Sequence, residues 1–414
     1  MALIVIAACS PGGEPKPPGK TLQIAVDLPL TGPESRAAVP ALNGVRYYVA
    51  THPSVAGYSV SLVVADHARN EAANPSLGVA NVQSFLENRR ILAMIGPLDA
   101  SVARLEIPTA NAGSLGMVSP ATSNPCLTRD VYLPAPLNPA RTEITCKSAG
   151  LPAASELRSG GSINFFRLAT TDELQGAAAA DYVVDTLHLV RVAVISDREL
   201  YGQGLANAFM ARLGKRGGTA VGHLDTDAED VSAFLDRMKA AGAQAVYYGG
   251  GASTGCGVRA QVAGAIGASA PLVGGDGLAQ EPGCNSAGVF ATVPIADASS
   301  RPEATTVIRG FKAAYPRAAD FGPYTLLAYD ATGIVYAAID RAITSAGGAM
   351  PSRASIVAEL ARTADYQGTS GRIGFDQAGD TTNRVISVLA APGGDSKMPW
   401  TVAGSIDYSA RLPY

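Results

Sequence analysis

The stretch LQIAVDLPLTG at residues 22–32 has the pattern of an apolar strand, a polar turn and the start of a helix, and VRVAVISDRELYG at 190–202 repeats that order. Strand and helix patterns alternate over 21–119 and again over 163–275. The strands are apolar with little polar alternation, which is typical of a parallel sheet covered by helices on both faces. Two such halves predict an α/β protein with two doubly wound lobes.

Length and composition agree with two lobes. The chain has 414 residues, of which 47% are hydrophobic and 16% are charged, with a formal net charge of −3. This length exceeds what one compact core usually holds, and the apolar content argues against disorder. The sequence has no basic stripe, so we expect no nucleic-acid partner.

The first residues carry a targeting pattern. A short apolar run at Ala2–Ala8 ends in Ile6-Ala7-Ala8-Cys9, which resembles a bacterial lipobox whose cysteine receives lipid. The run is too short to span a bilayer, which takes roughly 20 residues, and the Pro- and Gly-rich segment 11–20 predicts a tether. We expect 1–20 to be a lipoprotein signal remnant and linker, with Cys9 as the only membrane attachment. The tail of an ordinary signal peptide and a buried strand are the alternatives.

Four further cysteines are consistent with export. We favour the pairs Cys126–Cys146 and Cys256–Cys284, because each lies within one predicted lobe and closes a loop of about 20–30 residues, worth roughly 3 kcal/mol in the chain-entropy model. Four buried free thiols are the alternative. We expect no metal site, because no C-x-x-C spacing occurs. The histidines also form no ligand pattern: they are His52, His67, His188 and His223.

The stretch 125–161 is irregular and rich in Pro, Ser and Gly. It is too long for a simple connection between two elements. We interpret it as a surface excursion that Cys126 and Cys146 staple.

Several segments, taken together in their order and spacing, have a family counterpart. They are IAVDLPLTGP (24–33), IGPLDASVA (95–103), GMVSPATSNPCLT (116–128), LATTDELQGAAAADYV (168–183), VAVISDRELYGQGL (192–205), VYYGG (246–250) and AYDATGIVYAA (328–338). From about Thr21 to about Ile406 the chain resembles the leucine/isoleucine/valine-binding proteins, which are type I periplasmic binding proteins of ABC importers.

The resemblance implies a fold and its division along the chain. Two Rossmann-like doubly wound lobes would be joined by a three-crossover hinge, with a solute in the cleft between them. The N-lobe would take 21–167 and 293–367, and the C-lobe would take 168–292 and 368–414.

A zwitterionic solute requires donors for its carboxylate, preferably at helix N-termini, and acceptors for its ammonium. In open α/β sheets such groups gather beyond the carboxyl ends of the strands. The loops 97–101 and 120–123 follow two predicted strands, and Ser101 is expected to cap the next helix. With the resemblance, the expected solute-binding residues are Ala100, Ser101, Ala121, Ser123, Tyr201 and Asp276.

The resemblance also implies roles for these residues. The family usually has a hydroxyl at the position of Ala100, so backbone N–H groups and Ser101 would bind the carboxylate here. The Ala121 carbonyl and the Ser123 hydroxyl would bind the ammonium and carboxylate. Asp276 would bind the ammonium, and Tyr201 would pack on the solute from the C-lobe.

Each of these side chains also has an ordinary structural interpretation. Ser101 and Ser123 could simply cap helices. Asp276 lies in GGDG at 274–277, a common turn sequence, and Tyr201 could be an aromatic at a helix entry.

Two departures from the family bear on specificity. Family aromatics that contact the solute align with Ala37 and Gly251 here, and Arg36 is adjacent to the first. Losing both aromatics widens the pocket or leaves part of it polar. The sequence therefore does not support branched-chain specificity, and a larger or more polar solute is as compatible.

The resulting hypothesis is an extracytoplasmic, lipid-anchored, monomeric protein that binds an amino acid or analogue and delivers it to ABC permease subunits, without a cofactor. An enzyme is disfavoured because no P-loop and no nucleophile–base set is present. A sensor that feeds a separate signalling partner is the alternative.

Overall fold

The computed structural model describes residues 20–70, 72–279, 284–299, 301–393 and 400–414. Two large sheets organise these residues, one of six strands in the order β2-β3-β1-β4-β5-β8 and one of seven in the order β10-β9-β11-β12-β13-β16-β17. Two small sheets, β6-β7 and β14-β15, accompany them. The α/β class and the doubly wound architecture predicted from the sequence are confirmed.

The strands have the following bounds: β1 Thr21–Leu28, β2 Ser54–Val55, β3 Tyr58–Asp66, β4 Ile91–Ile95, β5 Gly116–Ser119, β6 Val131–Leu133, β7 Ile144–Thr145, β8 Phe165–Arg167, β9 Arg191–Ser196, β10 Thr219–Asp225, β11 Ala245–Gly249, β12 Leu272–Gly274, β13 Val289–Val293, β14 Tyr366–Gly368, β15 Gly371–Ile373, β16 Val385–Ala390 and β17 Thr401–Asp407.

The helices have the following bounds: α1 Ser35–Thr51, α2 Pro75–Glu87, α3 Ala100–Ala112, α4 Ala154–Leu157, α5 Asp172–Asp185, α6 Leu200–Lys215, α7 Ser232–Ala240, α8 Ala252–Ala265, α9 Pro302–Ala314, α10 Thr325–Ser345 and α11 Arg353–Ala361.

Most neighbouring strands within the two large sheets run parallel. In the first sheet β1 pairs with β3 and β4, and in the second β9 pairs with β10 and β11. In each sheet the strand order therefore reverses beside the first strand, which creates a crevice at the carboxyl ends of the strands. Antiparallel pairs occur at the edges, where β16 joins β13 and β17.

Helices cover both faces of each sheet. Buried residues of α1, α10 and α11 pack on one face of the first sheet, and those of α2 and α3 pack on the other. The second sheet lies between α7 and α8 on one face and α5 and α6 on the other. Apolar strands buried on both faces are what a covered parallel sheet requires.

Local sequence fixes several helix positions. Asn74 caps α2, because its Oδ1 accepts hydrogen bonds from the backbone N–H groups of Ser76 at 3.0 Å and Leu77 at 3.2 Å, and a proline follows at the first helical position. Gly44 permits α1 to approach α10, since a Cβ there would lie 2.1 Å from the carbonyl oxygen of Thr325. That approach places the start of α10 beside the cleft.

The contacts at the chain crossings are consistent with the three-crossover hinge that the family resemblance implies. The backbone N–H of Thr170 in the first crossing donates to the carbonyl oxygen of Pro294 in the second at 2.8 Å. Arg167, before the first crossing, forms an ion pair of 2.7 Å with Asp380, which lies between β15 and β16. The exact boundaries of the lobes stay a prediction.

The excursion at 125–161 differs from the prediction. Cys126 and Cys146 are 3% and 0% exposed, so the centre of the excursion is not a surface loop. It packs on the second lobe, where the hydroxyl of Tyr132 donates to the carbonyl oxygen of Leu200. The cluster that it forms includes Leu133, Leu137, Leu174, Ala177, Ala178 and Ala208. The sequence shows the length of this stretch but not which helices it covers.

Both predicted disulfides, Cys126–Cys146 and Cys256–Cys284, are present. The predicted lipidation site Cys9 and the tether lie outside the described residues. Among the residues that are described, no helix combines the length and the apolar character needed to cross a membrane.

Candidate functional site

The crevice of the first lobe opens where β1 and β4 end. A cavity of about 190 Å³ lies there. Its lining comes from the loops after these strands and from the starts of α1 and α10: Pro29, Pro33, Glu34, Arg36, Ala37, Leu98, Asp99 and Tyr324. The position agrees with the rule that open α/β sheets bind ligands where their strand order reverses.

Two predicted binding residues lie at the start of α3. The helix begins at Ala100, and Asp99 occupies the N-cap position without a side-chain hydrogen bond to the helix. The prediction that Ser101 is the N-cap is therefore wrong, because the N-cap lies two residues earlier, at Asp99. Ala100 is half-buried and Ser101 is exposed, and neither lines the 190 Å³ cavity.

Two more predicted residues follow β5, beside the second lobe. Ala121 is buried, and its backbone N–H lies 3.3 Å from the Ser119 hydroxyl. Ser123 is half-buried, and its carbonyl oxygen accepts a hydrogen bond of 3.1 Å from the backbone N–H of Asp172, the first residue of α5. This loop therefore reaches the edge of the cleft.

The remaining predicted pair is in direct contact in the second lobe. Asp276 follows β12 and is 9% exposed. Its Oδ1 accepts hydrogen bonds from the Tyr201 hydroxyl at 2.5 Å and from Nε2 of Gln175 at 2.9 Å. Tyr324, at the start of α10 in the first lobe, approaches Oδ2 at 3.4 Å. Asp276 is thus enclosed by side chains from both lobes.

Electrostatics link the two sides of the cleft. Burial raises the pKa of Asp172 to about 7, and the negative charges of Asp276 and Glu173 contribute to this rise. A hydrogen bond with the Ser123 side chain acts in the opposite direction and lowers the pKa. Burial also raises the pKa of Tyr201, as does the charge of Asp276. The tyrosine therefore keeps its proton and remains a donor to the carboxylate.

A larger cavity of about 580 Å³ adjoins Asp276 and Tyr324. Its other walls are mainly apolar and come from the end of β13, the second crossing, the start of α10, β16 and the residue before β17, including Val293, Ile295, Phe321, Leu326, Leu327, Leu389 and Trp400. Tyr324 borders both cavities, so a solute at this junction would have polar groups on one side and an apolar region on the other.

Sequence reasoning missed three residues at this junction. Asp172 and Gln175 lie in the segment LATTDELQG at 168–176, which carried part of the family resemblance, so the signal was present. Tyr324 precedes a helix in Gly322-Pro323-Tyr324 and carries no distinguishing pattern. The two residues that stand where the family has solute-contacting aromatics are placed as follows: Ala37 lines the smaller cavity, and Gly251 precedes α8.

One side-chain cluster next to the cleft was not predicted. Asp27, His67 and Glu106 converge from the end of β1, the loop after β3 and the middle of α3, with one potential ligand atom from each within 4.8 Å of the others. Burial lowers the pKa of His67, but the carboxylates of Asp27 and Asp99 outweigh it and raise this pKa to about 9. Burial and Asp27 raise the pKa of Glu106 well above its usual value. The three positions are too far apart in sequence to form a recognisable motif.

Comparisons with known proteins agree with this geometry. The profile of the family described as periplasmic binding protein matches residues 21–395. The Leu/Ile/Val-binding protein homolog 3 of Brucella melitensis is 28% identical over 376 residues, which cover 89% of this chain and 90% of that protein.

Solved structures share the fold. An ABC transporter substrate-binding protein from Desulfitobacterium hafniense in complex with Leu has a TM-score of 0.72 at 19% identity, covering 92% of this chain and 100% of that one. A solute-binding protein of an ABC transporter from Rhodopseudomonas palustris HaA2 in complex with p-hydroxybenzoic acid has a TM-score of 0.71 at 17% identity, covering 95% and 99%. With its two wound lobes and their shared cleft, the chain belongs to the periplasmic binding protein family, whose members bind solutes and are not enzymes.

Proposed function

We propose that this protein captures an amino-acid-like solute outside the cytoplasm by closing its two lobes, and delivers it to the permease of an ABC importer. The observation that carries the proposal is Asp276, a buried carboxylate held by Tyr201 from one lobe and approached by Tyr324 from the other. A carboxylate in such a place is a suitable partner for an ammonium group, since charge-assisted hydrogen bonds are among the strong ones.

The solute would bind at the junction that Tyr324 borders. Its ammonium would contact Asp276 and the Ala121 carbonyl. Its carboxylate would contact the Ser123 hydroxyl and the first N–H groups of α3, at Ala100 and Ser101, where the helix dipole favours negative charge. Tyr201 would pack against the solute, and α3 would have to approach it on lobe closure because its first residues lie outside the cavity wall.

The small side chain at Ala37 leaves a solute larger or more polar than a branched-chain amino acid equally compatible with the cleft. Ala37 and Arg36 line the smaller cavity of about 190 Å³, and the larger, mainly apolar cavity is about 580 Å³. The Brucella relative is named for Leu, Ile and Val, whereas the Rhodopseudomonas structure holds p-hydroxybenzoic acid. Asp276 distinguishes these chemistries, because it would attract an ammonium and repel a simple aromatic acid.

Calorimetry with the purified chain tests the assignment. A panel of amino acids and aromatic acids identifies a binder, and Asp276→Asn is then compared with Asp236→Asn, which changes an exposed aspartate in α7. We expect the first change to weaken amino-acid binding at least 100-fold and the second to leave it unaltered. Equal affinities for both variants, or tighter binding of benzoates than of any amino acid by the wild type, would reject an ammonium role for Asp276.

The importer partnership and the anchor require experiments in cells. Deletion of the protein should abolish uptake of the identified solute, whereas uptake that continues together with lost signalling would favour a sensor. Cys9→Ala should release the protein from the membrane fraction if Cys9 is lipidated. Sedimentation of the purified chain should show a monomer.

A further inference from the structure

The cluster of Asp27, His67 and Glu106 lies in the interior of the first lobe, behind the cleft. All three residues are 0% exposed. Two carboxyl groups and an imidazole are a costly combination to bury, because each loses its hydration and must be compensated by charge or hydrogen bonding.

Protein donors do not compensate Glu106. Neither of its carboxylate oxygens accepts a hydrogen bond from any residue in the described part of the chain. Its nearest polar neighbour in the cluster, Asp27, is itself an acceptor, and Oδ2 of Asp27 likewise lacks a donor among those residues. Three buried carboxylate oxygens therefore lack a donor among these residues, and a cation would compensate them.

The imidazole of His67 is oriented as metal-binding histidines are. Its Nε2 lies 3.4 Å from Oδ2 of Asp99, so a proton on Nε2 would be directed at a carboxylate. In a neutral imidazole of that tautomer, Nδ1 would present its lone pair to the cluster; it lies 3.3 Å from Oδ1 of Asp27 and has no hydrogen-bond partner among the described residues. Metal-ligating histidines commonly donate their other ring N–H to a carboxylate in this way.

Asp27 also has an outer partner. Nδ2 of Asn81 donates to Oδ1 of Asp27 at 3.0 Å, which helps to fix the carboxylate, while Oδ2 has no donor among the described residues. Glu106 is fixed by packing, since a Cβ on Gly78 of the adjacent helix α2 would lie 2.6 Å from its Oε1. The arrangement thus has three potential ligands and a supporting shell.

We propose that Asp27, His67 and Glu106 bind one divalent first-row metal ion of the zinc or manganese type. One imidazole nitrogen and two carboxylate oxygens suit such ions, whereas calcium and magnesium prefer oxygen ligands alone. Ligands roughly 2.1 Å from a common ion are at most about 4.2 Å apart, so small side-chain movements would close the present 4.8 Å cluster. The ion would neutralise both carboxylates while His67 remains neutral.

A metal ion bound at this cluster would also help to fix one wall of the cleft. Asp99, which accepts from His67, lines the 190 Å³ cavity and precedes α3. A metal ion that holds the imidazole in place would therefore hold the loop that forms the wall of that cavity. Metal binding itself is independent of whether the solute proposal is correct, because it can be measured without solute.

The competing explanation is that protons replace the ion. A protonated Glu106 could share its hydrogen with Asp27, and a doubly protonated His67 could balance the remaining charge. In that case the cluster would be complete without metal and would show no metal-dependent stability.

The experiment uses the tag-free full chain, stripped with EDTA and exchanged into chelator-free buffer. Calorimetric titration with ZnCl₂ and with MnCl₂, followed by elemental mass spectrometry after dialysis, should give one ion per chain, and the thermal midpoint should rise with the bound metal. Asp99→Asn should weaken metal binding by roughly 10–100-fold, as expected for an outer partner of a ligand, and Glu106→Gln should weaken it more. His223→Gln, which changes a histidine of the other lobe, is the matched control for His67→Gln.

The outcomes separate the two explanations. Stoichiometric binding that His67→Gln removes and His223→Gln retains supports the metal site. An unchanged thermal midpoint of the wild-type chain in EDTA and in either metal, or equal binding by Glu106→Gln and wild type, overturns it. Since the first comparison uses only the wild type, the result stands even if a variant fails to fold.

Discussion

Replacement of Asp380 by asparagine should destabilise the hinge strongly. Asp380 accepts from Nε of Arg167 at 2.7 Å, and the two side chains are 4% and 0% exposed. Nε of Arg129 lies 2.7 Å from the other oxygen, with Arg129 27% exposed. The carboxylate thus compensates one fully buried and one half-buried guanidinium at the point where two crossings meet.

The size of the expected loss in unfolding free energy depends on which partners Arg167 keeps after the replacement. In Asp380→Asn the guanidinium of Arg167 would still donate to neutral acceptors, such as the Asn124 carbonyl oxygen at 2.6 Å and Oγ1 of Thr128 at 2.5 Å. It would lose its carboxylate partner. Removing one partner of a buried ion pair leaves an uncompensated charge and typically costs about 3–5 kcal/mol. We expect a loss of that size in the free energy of unfolding.

Urea unfolding followed by circular dichroism measures this loss, and Asp365→Asn is the control. Asp365 pairs with Arg372 at 2.5 Å, but the two side chains are 65% and 69% exposed, so little change is expected. The double replacement Arg167→Met with Asp380→Leu should cost less than Asp380→Asn alone, because it removes the buried charge as well as its partner. If Asp380→Asn were as mild as Asp365→Asn, the buried-charge argument would be refuted.

The remaining predictions concern the cleft and the excursion. Because burial raises the pKa of Asp172 to about 7 from 3.8, the folded state binds this proton more tightly than the unfolded state, and the resulting stability is fully present below about pH 3.8 and is lost as the pH rises through about 7. Asp172→Asn should therefore flatten the decline in thermal midpoint between about pH 4 and 7, and parallel pH profiles for variant and wild type would contradict this. Gly204→Ala should destabilise the protein by about 1–3 kcal/mol through overpacking, since the new Cβ would lie 2.2 Å from the Tyr132 hydroxyl oxygen. A double-mutant cycle with Tyr132→Phe should recover part of that loss in urea unfolding, and an identical cost in both backgrounds would exclude the contact as its cause.

The architecture was predictable because its signals are local. The apolar strands at 22–28 and 191–196, each followed by a turn and a helix, place a doubly wound lobe without any long-range information. The disulfides were predictable for a similar reason, since Cys126–Cys146 and Cys256–Cys284 close short loops within one half of the chain. Asp276 could be singled out because it lies just past an apolar strand and because the resemblance implies an acidic residue there.

What could not be predicted depends on contacts between distant segments. Asp27, His67 and Glu106 are separated by 40 and 39 positions, and only the packing of α3 on the first sheet brings them together. Tyr324 reaches Asp276 because α10 packs on α1. The incorrect N-cap at Ser101 is a boundary error of two residues, of the kind that side-chain preference alone cannot resolve.

The distribution of contacts between the lobes indicates how they separate. On the hinge side, the buried pair of Arg167 and Asp380 and the disulfide-closed excursion that packs on α5 and α6 hold the lobes together. On the cleft side, the Tyr324 hydroxyl approaches Asp276 at 3.4 Å, and the backbone N–H of Asp172 donates to the Ser123 carbonyl oxygen at 3.1 Å. Breaking a buried ion pair costs several times more than breaking one hydrogen bond. Opening should therefore separate Tyr324 from Asp276 while the hinge contacts persist, which would expose the Asp276 carboxylate at the moment when a solute can enter.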